Sequence, residues 1–253
     1  MRFPFRGATG ERSFALSLWN IGETLAICVP TVADAALGRL ERGACDLRLE
    51  SWSARVLENA NVRLTVRGRE HLSGDRTYIL MSNHQSLYDV PTLFCVFGHR
   101  MRMIMKKELA RVPVFGDACR LAGFIEIDRK DRQQAIQSLE RAKAELRAGT
   151  HVWIAPEGTR SKTGELLPFK KGGFHLALET GWPILPVTLR GTGKILRAKG
   201  VRSFFGQDVE AILHPPVSPP PVESRDSAVP SAETKRAREE LMDKVRAAIT
   251  SGF

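Results

Sequence analysis

The chain has 253 residues, 43% hydrophobic and 26% charged, a balance that builds a folded core and excludes a disordered chain, a collagen repeat and a coiled-coil rod. At about 150 residues per domain, that length gives one compact core with appendages. The formal charge is +10, of which +9 falls between residues 101 and 200, and the four cysteines (Cys28, Cys45, Cys95, Cys119) include no CxxC pair. The cysteine spacing excludes a disulfide scaffold and a zinc ribbon and fits a reducing, cytosol-facing location. The regional positive charge needs an anion, and nucleic acid, an anionic membrane and a phosphorylated substrate all qualify on charge alone.

Residues 13–30 are apolar but are interrupted by Asn20, Gly22, Glu23 and Thr24, so they fall short of the roughly 20 predominantly apolar residues of a spanning helix. Phe3, Phe5, Phe14 and Trp19, with Arg2, Arg6 and Arg12 around them, give the stretch the flanks of a helix lying at headgroup level. This reading is monotopic; a core helix is the alternative, and Glu23 argues against a cleaved signal peptide. Residues 34–60 continue a helical pattern. Strands are then predicted at 62–66, 78–82, 101–105, 124–127, 151–155, 184–189 and 209–213, and helices at 90–97, 114–121, 132–147 and 172–180. Strand and helix alternate. The predicted fold class is α/β, a single mixed, mostly parallel sheet flanked by helices, with chemistry at loops after the strands' carboxyl ends. Six prolines in 215–230 mark an extended linker, and Ala237, Leu241, Val245 and Ala248 give a terminal helix at 234–249. The domains are thus 1–60, an amino-terminal helical module for membrane association, 61–214, the α/β body, and 215–253, the linker and helix.

The strongest local feature is Asn83-His84-Gln85-Ser86-Leu87-Tyr88-Asp89, directly after an apolar strand. Five residues along a helix rotate by about 140°, so a His and an Asp inside one helix would point apart. His84 therefore sits before the helix, and if Asp89 occupies its first turn the carboxylate can reach back to Nδ1 and leave Nε2 free. That is a base with its orienting carboxylate. No G-x-S-x-G elbow is present, and Ser86 reads as a local turn or cap rather than a nucleophile. A second block, Pro156-Glu157-Gly158-Thr159-Arg160, also follows a strand. Gly158 lets backbone approach an anion and Arg160 offers a planar fork for phosphate oxygens; the alternative is a plain turn with a surface ion pair. Arg129, ending Phe124-Ile125-Glu126-Ile127-Asp128-Arg129, is a candidate second anion contact. Lys106 and Lys107 stand at a strand end, either facing an oxyanion or solvated. Leu185-Pro186-Val187 carries no titratable group and reads as a wall.

In this order and spacing, the blocks resemble the glycerolipid acyltransferase family, most closely its 1-acyl-sn-glycerol-3-phosphate acyltransferases. The matching residues, within residues 60–215, are Asn83, His84, Ser86 and Asp89, then Phe124, Ile127, Asp128 and Arg129, then Pro156 to Arg160, and Leu185 to Val187. One departure is Ala155, where an aromatic usually precedes Pro-Glu-Gly, and it alters the shape of the acceptor pocket. The resemblance implies that His84, held by Asp89, takes the proton from the free hydroxyl of a lysophospholipid, whose oxygen attacks an acyl thioester without an acyl-enzyme. It implies that Glu157, Gly158, Thr159 and Arg160 hold the acceptor's phosphate, with Arg129 assisting and Lys106 or Lys107 near the oxyanion. No metal or cofactor is implied beyond acyl-CoA or acyl carrier protein thioester as co-substrate. The implied partners are the cytoplasmic face of a membrane, lysophospholipid, acyl thioester and acyl carrier protein, and not nucleic acid. The alternatives are another lysolipid acceptor, with a larger head group or an amine, and a non-catalytic lipid-binding protein on the same fold.

Overall fold

Residues 78–82 read Tyr-Ile-Leu-Met-Ser, apolar at successive positions, and a strand of that kind must be covered on both faces. The computed structural model, which describes residues 3–4, 7–128, 131–221 and 231–253, places it at the centre of the sheet. In chain order the elements are strand β1 (Arg12–Ser13), helices α1 (Phe14–Ala36) and α2 (Arg42–Asn59), strands β2 (Arg63–Arg67) and β3 (Ile79–Ser82), and helix α3 (Asp89–Phe97). Next come strand β4 (Met101–Lys106), helices α4 (Lys107–Ala110) and α5 (Phe115–Leu121), strand β5 (Ile125–Ile127), helix α6 (Arg132–Arg147), strand β6 (His151–Ile154) and helix α7 (Gly172–Thr180). The chain continues with strand β7 (Ile184–Arg190), helix α8 (Thr192–Ile195), strands β8 (Ser203–Phe204) and β9 (Asp208–Leu213), and helix α9 (Ala232–Ser251).

The main sheet has seven strands in the order β2-β9-β7-β3-β6-β4-β5. All neighbours are parallel except β7 and β9, so the sheet is mixed and mostly parallel. Along β3 the side chains alternate between two cores. Leu80 joins Phe94, Phe97, Met101 and Leu185, together with Cys45 and Leu49 of α2. Ile79 and Met81 join Leu146, Phe174, Leu176 and the α9 residues Leu241, Val245 and Ile249. The amino-terminal helices thus share a core with the sheet, and α9 docks on the chain's own body.

The predicted helix through 34–60 is two helices. Gly38, at φ +66°, ends α1 in the left-handed conformation that glycine tolerates, and α2 begins at Arg42. The proline in β7 does not break that strand. Pro186 points its carbonyl toward β9, where it accepts from His214 N at 3.0 Å. The missing N–H faces the same side, where strand pairing with β9 starts only at Val187. Of the proline-rich stretch, Val217 bridges to Ile184, and residues 222–230 lie outside the described residues.

Candidate active site

Strands β3, β6 and β4 are neighbours, with Met81 opposite Ile154 and Met103 opposite Trp153, so the loops that leave their carboxyl ends emerge side by side. In open α/β sheets this is where ligands bind. A cavity of about 770 Å³ lies there, with His84, Lys106, Gly158, Thr159 and Arg160 in its lining. The rest is largely apolar: Ile27 and Cys28 of α1, Leu49 and Trp52 of α2, Phe115 and Cys119 of α5, and Trp153 of β6 contribute to the wall.

His84 precedes α3, and Asp89 is that helix's first residue. Asp89 Oδ2 lies 2.7 Å from His84 Nδ1 and also accepts the backbone N–H groups of Gln85 at 2.7 Å and Ser86 at 2.9 Å. Three donors converge on one oxygen of a fully buried carboxylate, which fixes it as the acceptor for Nδ1–H and leaves Nε2 as the free nitrogen. The Trp153 ring meets the imidazole edge to face at 5.6 Å between centroids. Asn83 is pinned to β7, donating to Leu189 O at 2.8 Å and accepting Leu189 N at 2.7 Å. Ser86 Oγ donates to Leu196 O at 2.7 Å and accepts from Tyr88 N at 3.2 Å. Its hydroxyl is committed to the turn.

Glu157 differs from its expected place as a phosphate contact. It does not line the cavity; it is buried, and its Oε1 accepts His84 N at 2.7 Å while Oε2 accepts Leu167 N at 2.8 Å. A carboxylate repels a phosphate, and this one is used to tie two loops together. Burial pushes its pKa up, partly countered by those two N–H donors. Gly158 adopts φ +71° and donates its N–H to Ala155 O at 3.0 Å, closing a tight turn. That turn leaves Thr159 exposed and brings Arg160 to the cavity wall. Among the described residues Arg160 and Lys106 have no ion pair or side-chain hydrogen bond, so both are unpaired cations on the lining. Lys107, by contrast, is held by Asp128 Oδ2 at 3.2 Å and Gln134 Oε1 at 2.9 Å. Arg129 lies outside the described residues. Among the described residues no group of three or more His, Cys, Asp or Glu could hold a metal ion.

The acyltransferase family model matches residues 63–190, which span every element from β2 to β7. The chain is 34% identical to mouse (Mus musculus) 1-acyl-sn-glycerol-3-phosphate acyltransferase alpha over 216 residues, 85% of this chain and 75% of that protein. The chain belongs to the 1-acyl-sn-glycerol-3-phosphate acyltransferase family. Another member, the chloroplastic BAT2 of Brassica napus, is 39% identical over 60% of this chain, which spans only 44% of that longer protein. Among solved structures, the 1-acyl-sn-glycerophosphate acyltransferase PlsC of Thermotoga maritima superposes with a TM-score of 0.68 at 27% identity, covering 92% of this chain and 94% of that one.

For this family member, the sequence reading missed the part of the site built by α1 and α2. The aromatic and basic flanks of residues 13–30 point to a membrane surface, whereas Thr24, Ile27, Cys28 and Thr31 of α1 line the cavity. Their i, i+3, i+4, i+7 spacing was a readable signal. Trp153 was also missed, although its place two residues before Ala155 put it beside the Pro156–Arg160 turn.

Proposed function

We propose that the chain is an O-acyltransferase that moves a fatty acyl group from an acyl thioester to the free hydroxyl of 1-acyl-sn-glycerol-3-phosphate, giving phosphatidic acid. The observation that carries this reading is the His84–Asp89 pair on a large, mostly apolar cavity that also holds the unpaired Arg160. His84 Nε2 removes the hydroxyl proton as that oxygen attacks the thioester carbonyl, and Asp89 stabilises the imidazolium that forms. Collapse of the tetrahedral intermediate breaks the carbon–sulfur bond, and the imidazolium returns its proton to the leaving thiolate. Arg160 supplies the fork for the acceptor's phosphate oxygens. Of the two lysines, Lys106 is free to meet the oxyanion, while the contacts of Lys107 spend its charge on Asp128. The apolar wall takes acyl chain.

The proposed setting is the surface of a membrane. Phe14, Leu18, Ile21, Leu25 and Val29 are all exposed and recur every three or four residues along α1, a stripe that lies in a bilayer interface. The helix is long and apolar enough to cross a membrane, yet its other face is packed on the body, where Glu23 pairs with Arg55 at 2.7 Å. That packing supports a helix lying in the interface. Leu109 and Val112 are exposed and also line the cavity, so the cavity opens among apolar residues, as entry from a lipid phase requires.

Purified protein is tested with lysophosphatidic acid and either acyl-CoA or acyl carrier protein thioester. Thiol release equal to phosphatidic acid formed is the expected result. No turnover on lysophosphatidic acid, with activity on an acceptor of larger head group or on an amine, would reassign the substrate; no turnover on any acceptor would sink the enzyme reading.

A further inference from the structure

Helix α9 carries none of the catalytic blocks, yet one of its side chains reaches the loop that contains Glu157. Arg246 Nη1 donates to Leu167 O and Nη2 to Leu166 O, each at 3.0 Å, and its guanidinium carbon lies 5.3 Å from the Phe169 ring centroid. Two N–H groups of one guanidinium on consecutive carbonyls is a fork geometry that a lysine ammonium does not reproduce. The next link runs through the same residue. Leu167 N donates to Glu157 Oε2, and Glu157 Oε1 accepts the backbone N–H of His84. Leu167 is therefore held by its carbonyl from α9 and by its N–H from the buried carboxylate that fixes His84.

Residues 156–170 form no helix or strand, and a stretch of that length needs anchors to keep one conformation. Besides Arg246 and the Glu157 bonds, its anchors include Ser161 N donating to His84 O at 2.7 Å, Lys170 N donating to Pro156 O at 2.7 Å, Gln85 Nε2 donating to Gly164 O at 2.9 Å, and Phe169 stacked on Phe174. The helix behind Arg246 is packed on the body. Leu241, Val245 and Ile249 are buried against the sheet, and Thr188 Oγ1 of β7 donates to Ile249 O at 2.7 Å.

We propose that Arg246 is a positioning residue for the catalytic centre: by fixing the backbone of Leu166 and Leu167 it sets Glu157, and through Glu157 it sets the backbone from which the His84 imidazole projects. The inference rests on the reading of His84 as the general base, but its structural half is measurable without turnover. Loss of the fork frees the loop and the His84 amide together while leaving the acyl wall untouched. Small displacements of a catalytic base are costly, and an Arg246→Ala variant is expected to lose about tenfold in kcat with the acyl-donor KM changed less than about twofold.

The test combines kinetics with hydrogen exchange on the full chain. In Arg246→Ala, the amides of His84 and Leu167 exchange at least about tenfold faster while those of α9 between Ala237 and Val245 stay protected; Arg246→Lys recovers only part of kcat. In a Glu157→Gln background the Arg246→Ala change adds no further loss of kcat, because the link is already cut. Arg236→Ala, on the exposed face of α9, serves as the control with unchanged exchange and rate. Unaltered exchange at His84, equal loss of protection along α9, or full additivity with Glu157→Gln would each overturn the proposal. If the parent protein turns over no lysolipid, the functional reading fails while the exchange result still decides the link.

Discussion

A carboxylate oxygen that accepts three N–H donors inside a protein is held in one place. Asp89 is in that position, and its hold on Nδ1 at 2.7 Å decides which nitrogen of His84 is available to substrate. His84→Ala therefore removes the base and leaves the cavity and its cations intact; turnover is expected to fall by roughly 10²–10⁴-fold, with vesicle binding and the thermal midpoint unchanged. A rate within threefold of the parent would remove His84 from the mechanism. Asp89→Asn keeps the shape but offers an amide to a ring N–H and two backbone N–H groups, so it costs both rate and stability. The expected rate loss is again roughly 10²–10⁴-fold, and the melting temperature drops, whereas His84→Ala leaves it in place. The contrast between the two variants separates chemistry from architecture at this turn.

Single elements carry two further predictions. Along α1 the exposed stripe is apolar at Leu18 and Leu25, at 52% and 45% exposure. Replacing both by Asp should abolish co-flotation with phospholipid vesicles at an unchanged melting temperature; undiminished flotation would remove α1 as the membrane contact. Between α4 and α5 the chain turns so tightly that a Cβ on Gly116 would lie 2.0 Å from Ala110 O. Val114, three residues earlier than Asp117, takes φ +66°, and Phe115 N closes on Pro113 O at 2.7 Å, a γ-turn that L-residues seldom adopt. Gly116→Ala must push this wall of the cavity aside, at a cost of about 1–3 kcal/mol, read as a lower urea midpoint; an unchanged midpoint would show that the turn yields freely. These elements also show what the sequence discloses. The strands after which His84 and Pro156 stand were legible because a strand covered on both faces is a continuous apolar run, and the His84–Asp89 pair was legible because helix geometry keeps His84 out of the helix and Asp89 in its first turn can then reach back to it. The role of Glu157 was not, since nothing local to Pro-Glu-Gly-Thr-Arg says that its carboxylate turns inward to backbone N–H groups from residues 84 and 167. The break at Leu37 was missed for a similar reason: a helical pattern continues across it, and only Gly38 marks the stop. The fork of Arg246 joins residues about 80 apart in the chain, and helical periodicity reports a buried face, not a long side chain's partner.

The molecule as a whole buries histidines in their neutral form, and that sets its response to acid. His151 at the start of β6 is 1% exposed and accepts Tyr78 N at 3.1 Å through Nδ1; burial, assisted by Arg100, lowers its pKa to about 4. His175 is lowered by burial and by Arg238 and Lys171, and His214 by burial and His71. In each case the unfolded chain takes up a proton near the ordinary value of 6.5 while the folded chain resists it. Their contribution to stability is therefore complete above pH 6.5 and is lost as pH falls through each folded value; for His151 the loss runs down to about 4 and amounts to roughly 3 kcal/mol. Glu157 runs the other way. Its raised pKa favours the folded state at low pH and is lost as pH rises through the folded value, so it offsets part of the histidine loss at the acid end. Urea denaturation should accordingly show stability falling between pH 7 and pH 5, with the midpoint moving down throughout that window. His151→Gln retains an acceptor for Tyr78 N but cannot titrate, and it should remove about one proton from that dependence, roughly 1.4 kcal/mol per pH unit of slope. The same slope in parent and variant would mean that His151 is not held neutral, and that the acid sensitivity of this fold arises elsewhere.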